Sequence, residues 1–500
     1  MLYKILFLFT FLISGYLTQS QIITADPPFP TADEPATIYF DATGTALEAY
    51  TGSVYAHTGV TVDGLQWQNV IGNWNVNSSQ PRLTNIGNDL YKLEISPTIR
   101  QFYNVEQSST ITEMSFVFRS SDSQLQTSPD IFYNVYELEL AVVIMLPEAV
   151  AVIVQLEDTV HVEWSTNLAD SSFLYIDDEM VFADTGNSFQ YDIPVTTTEA
   201  RWVRAVAKNA TEMVADSFYY YVRSEPIIEA LPNGIRDGIN YINDTTVMLC
   251  LYAPEKEYVF AWGDHSNWEL SDDIYMKQTP DGNRYWVEIS GLEPQRQYIF
   301  QYFIDGDLRL LLGDMYCEQV SDPWNDHLIS PETYPNLPVY PQGKTDFMAS
   351  VFQTAQEAFQ WQAENFLPPK KEDLVIYELL IRDFIEKHDY NTLIDTLDYL
   401  DRLGVNAVEL MPFNEFEGNS SWGYNPNFYF APDKYYGPRN TLKAFIDECH
   451  SRGMAVFMDM VLNHSYGAPF VQMYYDYENN RPAANSPWYN QESNFPYADA

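Results

Sequence analysis

The pattern of apolar and polar positions changes character several times along the chain. Behind Lys4 an apolar run extends from Ile5 to Leu17, interrupted only by Thr10, Ser14 and Gly15, and small residues stand at Thr18 and Ser20. The run is too short to span a bilayer and no stop-transfer pattern follows it, so residues 1–20 read as a secretory signal peptide cut after Ser20. Residues 21–137 then alternate apolar and polar over short stretches such as Ala36–Phe40, Asp89–Ile95, Met114–Arg119 and Ile131–Tyr136, with Gly and Asn clusters between them. Short strands punctuated by turn signals indicate a β-sandwich. Residues 138–225 repeat the pattern in Val160–Trp164, Phe173–Ile176, Arg201–Ala207 and Phe218–Val222. A third block, 226–330, contains Pro280-Asp281-Gly282-Asn283 and Ile304-Asp305-Gly306-Asp307, where Asp-Gly accepts the positive φ of a tight hairpin.

Residues 331–372 read as a linker with a helix. Pro331, Pro335, Pro338, Pro341 and Gly343 keep its first half extended, and Phe347–Asn365 is predicted helical until Pro368-Pro369 stops it. From 373 to 500, strand and helix alternate. Leu374–Leu379, apolar enough to be buried on both faces, Val405–Met411 and Met454–Met460 read as strands. Asn391 is placed to cap a helix carrying Leu393, Ile394, Leu397 and Leu400, and Asn440 or Thr441 a second one carrying Leu442, Phe445, Ile446 and Cys449. Gly404 and Gly453 close the two helices. Repeated strand–helix units mean a parallel sheet, either barrel or doubly wound. No G-x-G-x-x-G or Walker loop follows any of these strands, which argues against nucleotide binding.

Composition narrows the partner. At roughly 100–200 residues per domain, 500 residues hold several domains, each large enough for its own core. Against 70 Asp+Glu stand 26 Lys+Arg, a net charge of −44, and such a surface repels nucleic acid and anionic lipid. The 37 Tyr, 29 Phe and 11 Trp are partly consumed by sheets, but aromatic faces left outside a core are what sugar rings stack on. Cys250, Cys317 and Cys449 are too few and too scattered for a disulfide scaffold or a zinc site. Beyond the leader, no stretch is long and apolar enough to span a membrane, so the expected protein is secreted, periplasmic or displayed on the cell surface. The second block, without a Cys pair, has immunoglobulin-like size and nothing more specific.

Functional residues of a βα barrel lie at the C-terminal ends of its strands and on the following loops. The second strand runs into Val408-Glu409-Leu410-Met411-Pro412, and the loop beyond carries Trp422-Gly423-Tyr424-Asn425-Pro426 and Tyr429-Phe430-Ala431-Pro432. The third strand ends Asp459-Met460-Val461-Leu462-Asn463-His464. Together these segments resemble glycoside hydrolase family 13, the α-amylase family. Asp459 to His464 matches its D-x-V-x-N-H region at every fixed position, Gly404–Pro412 matches the preceding region, and Gly423-Tyr424 matches the G-Y pair in a form closest to branching and debranching members. The third β block is similar to the sandwich before the barrel in branching and isoamylase-type enzymes. It departs from it in Gly263-Asp264-His265-Ser266, where G-D-F-N is usual, and in Gly313-Asp314-Met315-Tyr316, where D-P-Y is expected. More faintly, residues 21–137 resemble starch-binding sandwiches, with Trp67 and Trp74 as candidate glucan platforms or, taken singly, as core tryptophans.

The resemblance implies a multidomain fold, N-terminal β-sandwich modules followed by the first part of a (β/α)8 TIM barrel. It implies a retaining enzyme active on starch, glycogen or maltooligosaccharides. Tyr424 would offer its ring to the apolar face of a glucose unit, and His464 would donate a hydrogen bond to a sugar hydroxyl. Asp459 would be a supporting carboxylate paired with an arginine after the fourth strand, although a carboxylate at a strand end is also compatible with a nucleophile. Asn463 is a calcium ligand in many amylases, while branching-type relatives often dispense with the ion, so no cofactor is required and calcium stays open. A barrel takes ~250 residues, and Tyr466–Ala500 contains no G-F-R-x-D. The nucleophile, the acid/base and the third carboxylate are therefore expected beyond Ala500, with this chain an inactive piece of the enzyme. The alternative is a non-catalytic α-glucan-binding surface or secreted protein.

Overall fold

The computed structural model describes residues 23–492 apart from 88, 129, 137–138, 148–150, 308–309 and 478; the leader expected over 1–20 lies outside the described residues. The chain divides into two compact units that meet in sequence between Arg223 and Ser224.

The first unit contains two sandwiches. In one, the antiparallel sheet with Ala36–Asp41 and Leu90–Ile95 at its centre faces a sheet built around the pair Val54–Val62 and Ile111–Ser120. Alternate inward residues such as Ile38, Phe40, Ala56, Phe116 and Phe118 make a single core, as the period-two pattern of strands requires. In the other, Arg201–Lys208 lies between Met213–Val222 and Ser171–Ile176, and Thr159–Asn167 is central in the opposing three-stranded sheet. Its core gathers around Trp164, whose indole donates to Ser172 Oγ at 2.8 Å.

The second unit opens with the third sandwich. Thr246–Tyr252 pairs with Gly238–Asn243 and Arg284–Ile289, while Gln297–Ile304 pairs with Val259–Gly263 on one side and Ala349–Gln353 on the other. That last strand corrects the helix expected over Phe347–Asn365, none of which is helical. Ala349, Ser350, Val351 and Phe352 are all buried, the strand lying between Gln297–Phe300 and Val320–Ser321, and tertiary pairing overrides their local propensity. Residues 331–348 are likewise no free tether, because Thr333, Tyr334 and Thr345 are buried. The three cysteines are free and buried.

After this sandwich, Ile376–Leu379, Ala407–Leu410 and Ala455–Met458 pair in parallel, in that order. One face of the sheet, with Leu379, Val408 and Leu410, packs on Leu393, Leu397, Leu400, Leu442 and Phe445. The first strand is not buried on both faces as its composition suggested: Ile376 is half exposed. The first helical stretch is capped two residues before Asn391, by Asp389, whose carboxylate accepts from Thr392 N at 2.7 Å. It is also broken into Tyr390–Ile394 and Leu397–Arg402. The second helix, Arg439–Ser451, follows Pro438 rather than Asn440 or Thr441. With φ −73° and ψ 157°, Pro438 holds the extended geometry of an N-cap without any side-chain bond. Among the described residues, no helix is long and apolar enough to cross a membrane.

Candidate functional site

The site forms where the loop after Ala407–Leu410 returns over the end of Ala455–Met458. Gly423 makes the return feasible: its φ of +90° lies in the left-handed region, and a Cβ there would run into the carbonyl of Pro412. Ser421 Oγ accepts from Gly423 N at 2.9 Å and itself donates to Asn425 Oδ1, so the turn is tied from both sides. Tyr424 follows with its ring 39% exposed and its hydroxyl donating to Asp459 Oδ2 at 2.6 Å. Asp459 is held by its own N–H, which donates to Leu410 O at 3.0 Å. His464 Nε2 lies 2.7 Å from Tyr424 O, and Tyr429 OH donates to His464 O at 2.9 Å. Tyr424, Asp459 and His464 are thus brought into one linked group.

Among the described residues, the Asp459 carboxylate accepts from the Tyr424 phenol. His464 spends Nε2 on the Tyr424 carbonyl as a donor, leaving Nδ1 as the nitrogen available to another partner. The hydrogen bond to Asp459, together with burial and the nearby charges of Asp459, Glu378 and Glu409, pushes the Tyr424 phenol up to about 12. It stays a neutral donor throughout the physiological range.

Glu378 and Glu409 are the residues sequence reasoning missed. They face each other in register on adjacent parallel strands. Glu378 is exposed and Glu409 half-buried; a carboxylate in the middle of an otherwise apolar strand was the available signal.

The strands that carry the loop are anchored by a buried ion cluster. Lys434 Nζ donates to Glu415 Oε1 and lies 3.2 Å from Asp326 Oδ1, with all three side chains nearly inaccessible. Asp433 stands beside them, accepting from Tyr435 N at 2.8 Å and Phe416 N at 3.2 Å. Burial raises the proton affinity of Glu415, Asp433 and Asp326, and Lys434 offsets this only in part. Asp326 lies between two strands of the third sandwich, Val320–Ser321 and Ala349–Gln353, so the cluster fastens that module to the loop-bearing strands.

Other candidates take different places. Asn463 is exposed, and among the described residues no group of three or more His, Cys, Asp or Glu could hold a metal ion. Gly263 and Asp264 serve the third sandwich itself: Asp264 Oδ1 accepts from Trp268 Nε1 at 2.9 Å and Oδ2 from Ile299 N at 2.8 Å. Asp314 is buried, taking hydrogen bonds from Tyr302 OH at 2.7 Å and Tyr316 N at 2.8 Å. In the first unit, Trp67 and Trp74 lie outside the core. The His57 ring stacks on Trp67 with centroids 5.2 Å apart and meets Trp74 edge-on at 4.7 Å. Trp67 donates to Asp130 Oδ2 at 2.9 Å from a left-handed backbone of φ 54°, which a bulky residue adopts rarely.

Residues 352–496 match the family model of the alpha-amylase catalytic domain. The malto-oligosyltrehalose trehalohydrolase of Saccharolobus solfataricus is 41% identical over 106 residues, 21% of this chain and 19% of that protein. The isoamylase SU1 of Zea mays is 31% identical over 269 residues, 47% of this chain and 33% of that one. The 1,4-alpha-glucan branching enzyme of Shewanella frigidimarina is 28% identical over 257 residues, 47% and 31%. The chain spans a third or less of the length of each of these relatives. Among solved structures, the catalytic module of the pneumococcal glycogen-degrading virulence factor SpuA covers 46% of this chain and 38% of its own, at 22% identity and a TM-score of 0.35.

Proposed function

We propose, starting from the membership of residues 352–496 in the α-amylase family, that this chain is the glucan-holding part of an exported glycoside hydrolase acting on starch- or glycogen-type α-glucan. The observation that carries the reading is the linked group at the strand ends. An exposed tyrosine ring is fixed through its hydroxyl by Asp459 and through its carbonyl by His464. A rigid aromatic face with its polar edge already satisfied can receive the C–H face of a glucose ring at little cost in side-chain entropy. Export rests on the Lys4–Ser20 leader pattern.

Calorimetric titration of the 500-residue chain with maltoheptaose tests this. Tyr424→Ala is expected to weaken binding about tenfold, the equivalent of ~1.4 kcal/mol, and unchanged affinity would remove Tyr424 from the site. We further propose that these residues alone hold glucan without cleaving it. Retention needs a nucleophile and an acid/base ~5–5.5 Å apart, and Asp459 is engaged by Tyr424. Release of reducing sugar from starch by the purified chain would overturn that.

The second reading, a non-catalytic α-glucan-binding protein, is favoured by the cluster of half-buried His57 and Trp67 with exposed Trp74. Under it, Trp74→Ala lowers retention on amylose while Tyr424→Ala does not.

A further inference from the structure

We propose that a cavity at the seam between the third sandwich and the strand–helix segment is a second sugar site, one that takes a glucose unit of a neutral glucan. The cavity measures about 390 Å³ and none of Tyr424, Asp459 and His464 lines it. That volume falls in the ~300–1,000 Å³ range of small-ligand sites. Its identification as a site for glucan, rather than for another neutral sugar, rests on the function proposed above.

Two aromatic rings look into the opening, Trp324 and Tyr466, which are 55% and 52% exposed. Both are held by their backbones. Asp322 Oδ1 accepts from Trp324 N at 2.7 Å, and its other oxygen accepts from Asn325 Nδ2 at 2.9 Å. From the other side of the seam, Asn419 Nδ2 donates to Asn325 O at 2.9 Å. Tyr466 N donates to Pro426 O at 2.9 Å, and its phenol lies against the Glu417 carboxylate, whose charge raises its proton affinity. The backbones that carry the two rings are therefore fixed, and the rings themselves are left uncovered.

Asn427 is the second, independent observation. It lines the same cavity, is only 5% exposed, and its Oδ1 has no hydrogen-bond partner among the described residues. Its Nδ2 contacts Met348 Sδ at 3.4 Å. A buried amide oxygen left unpaired beside a cavity is an acceptor awaiting a donor, and a hydroxyl supplies one. Among the described residues no Lys or Arg lines the cavity, and Glu417 does, so an anionic ligand is disfavoured. Apolar walls, two rings, one free acceptor and one carboxylate suit a neutral polyhydroxylated ring: C–H groups against the rings, hydroxyls toward Asn427 and Glu417.

The test is titration of the full 500-residue chain with maltotriose, followed by tryptophan fluorescence and calorimetry. Trp324→Ala and, separately, Tyr466→Ala are expected to remove one class of site, weakening it at least tenfold, while Trp324→Phe stays within a few-fold of the parent. The melting temperature of each variant identifies one that fails to fold, and because both side chains are exposed either variant suffices. Tyr424→Ala is expected to leave this class intact. If Tyr424→Ala abolishes all maltotriose binding, or if folded Trp324→Ala and Tyr466→Ala bind as the parent does, the second site is overturned. If Trp324→Ala loses binding and Tyr424→Ala loses none, the second site stands and the Tyr424 assignment falls.

Discussion

Tyr424 owes its position to its neighbour. Gly423 occupies a backbone region that costs an L-residue roughly 1–3 kcal/mol, and it does so against the Pro412 carbonyl. Gly423→Ala is expected to combine that strain with a clash against backbone, which has no rotamer through which to yield. The measurable result is loss of maltoheptaose binding comparable to that of Tyr424→Ala, with a lowered melting temperature that Tyr424→Ala does not share. Tyr424→Phe separates the two contributions of the ring. It keeps the stacking face and removes the donor to Asp459, so affinity is expected to fall only a few-fold, with the remaining loss reporting the freed ring. At this scale the sequence made the identities of Tyr424, Asp459 and His464 legible, because a motif records residue types at fixed spacing. It did not reveal that Asp459 and His464 both bind the Tyr424 residue itself, since those contacts span 35 and 40 positions.

Among the elements, the parallel strands and their helices were readable because their periodicity is strong and their ends are marked by Gly404 and Gly453. The segment Phe347–Asn365 was not. Its residues carry moderate helical preference, and its first part is instead paired with strands some fifty and thirty positions earlier, Gln297–Phe300 and Val320–Ser321. The ion cluster at Lys434 was equally invisible, because Asp326, Glu415 and Lys434 come from separate stretches of chain. Its energetics give a clear expectation. Lys434→Met leaves the buried carboxylates of Glu415, Asp326 and Asp433 without a cation, a change of the kind that costs about 3–5 kcal/mol. Replacing Lys434 and Glu415 together by Met is expected to recover only part of that loss, because Asp326 and Asp433 stay buried without a cation. Urea unfolding midpoints of the parent, the single and the double variant decide it; a single variant as stable as the parent would show that the cluster is not a fastening.

For the molecule as a whole, charge and burial act together on pH dependence. Burial raises the carboxyl of Asp314 to about 6, and that of Asp346 to about 6, from an ordinary value of 3.8. For such a group the native state binds more protons than the unfolded chain between the two values, so stability is lost as pH rises from about 4 to about 6. The buried carboxylates around Lys434, also shifted upward, act in the same direction. The net charge of −44 at pH 7 adds repulsion that weakens as acid neutralises it. Carboxyls held low, such as Asp281 at about 2, give up their contribution only below pH 4 and do not oppose the trend in this window. Against this, burial holds His265 down at about 4, so the unfolded chain takes up that proton first as pH falls below about 6.5; the raised carboxyls outnumber it, and the urea midpoint is expected to be higher at pH 4.5 than at pH 7. Asp314 supplies a separable share, because it is wholly buried and a rise from 3.8 to about 6 corresponds to about 3 kcal/mol. Asp314→Asn cannot ionise, so its midpoint is expected to change less between pH 4.5 and pH 7 than the parent's, even though the amide serves the Tyr302 and Tyr316 donors less well than the carboxyl does. Parallel pH profiles for parent and variant would instead place the Asp314 titration outside this range and assign the slope to surface repulsion, which 0.5 M salt then flattens.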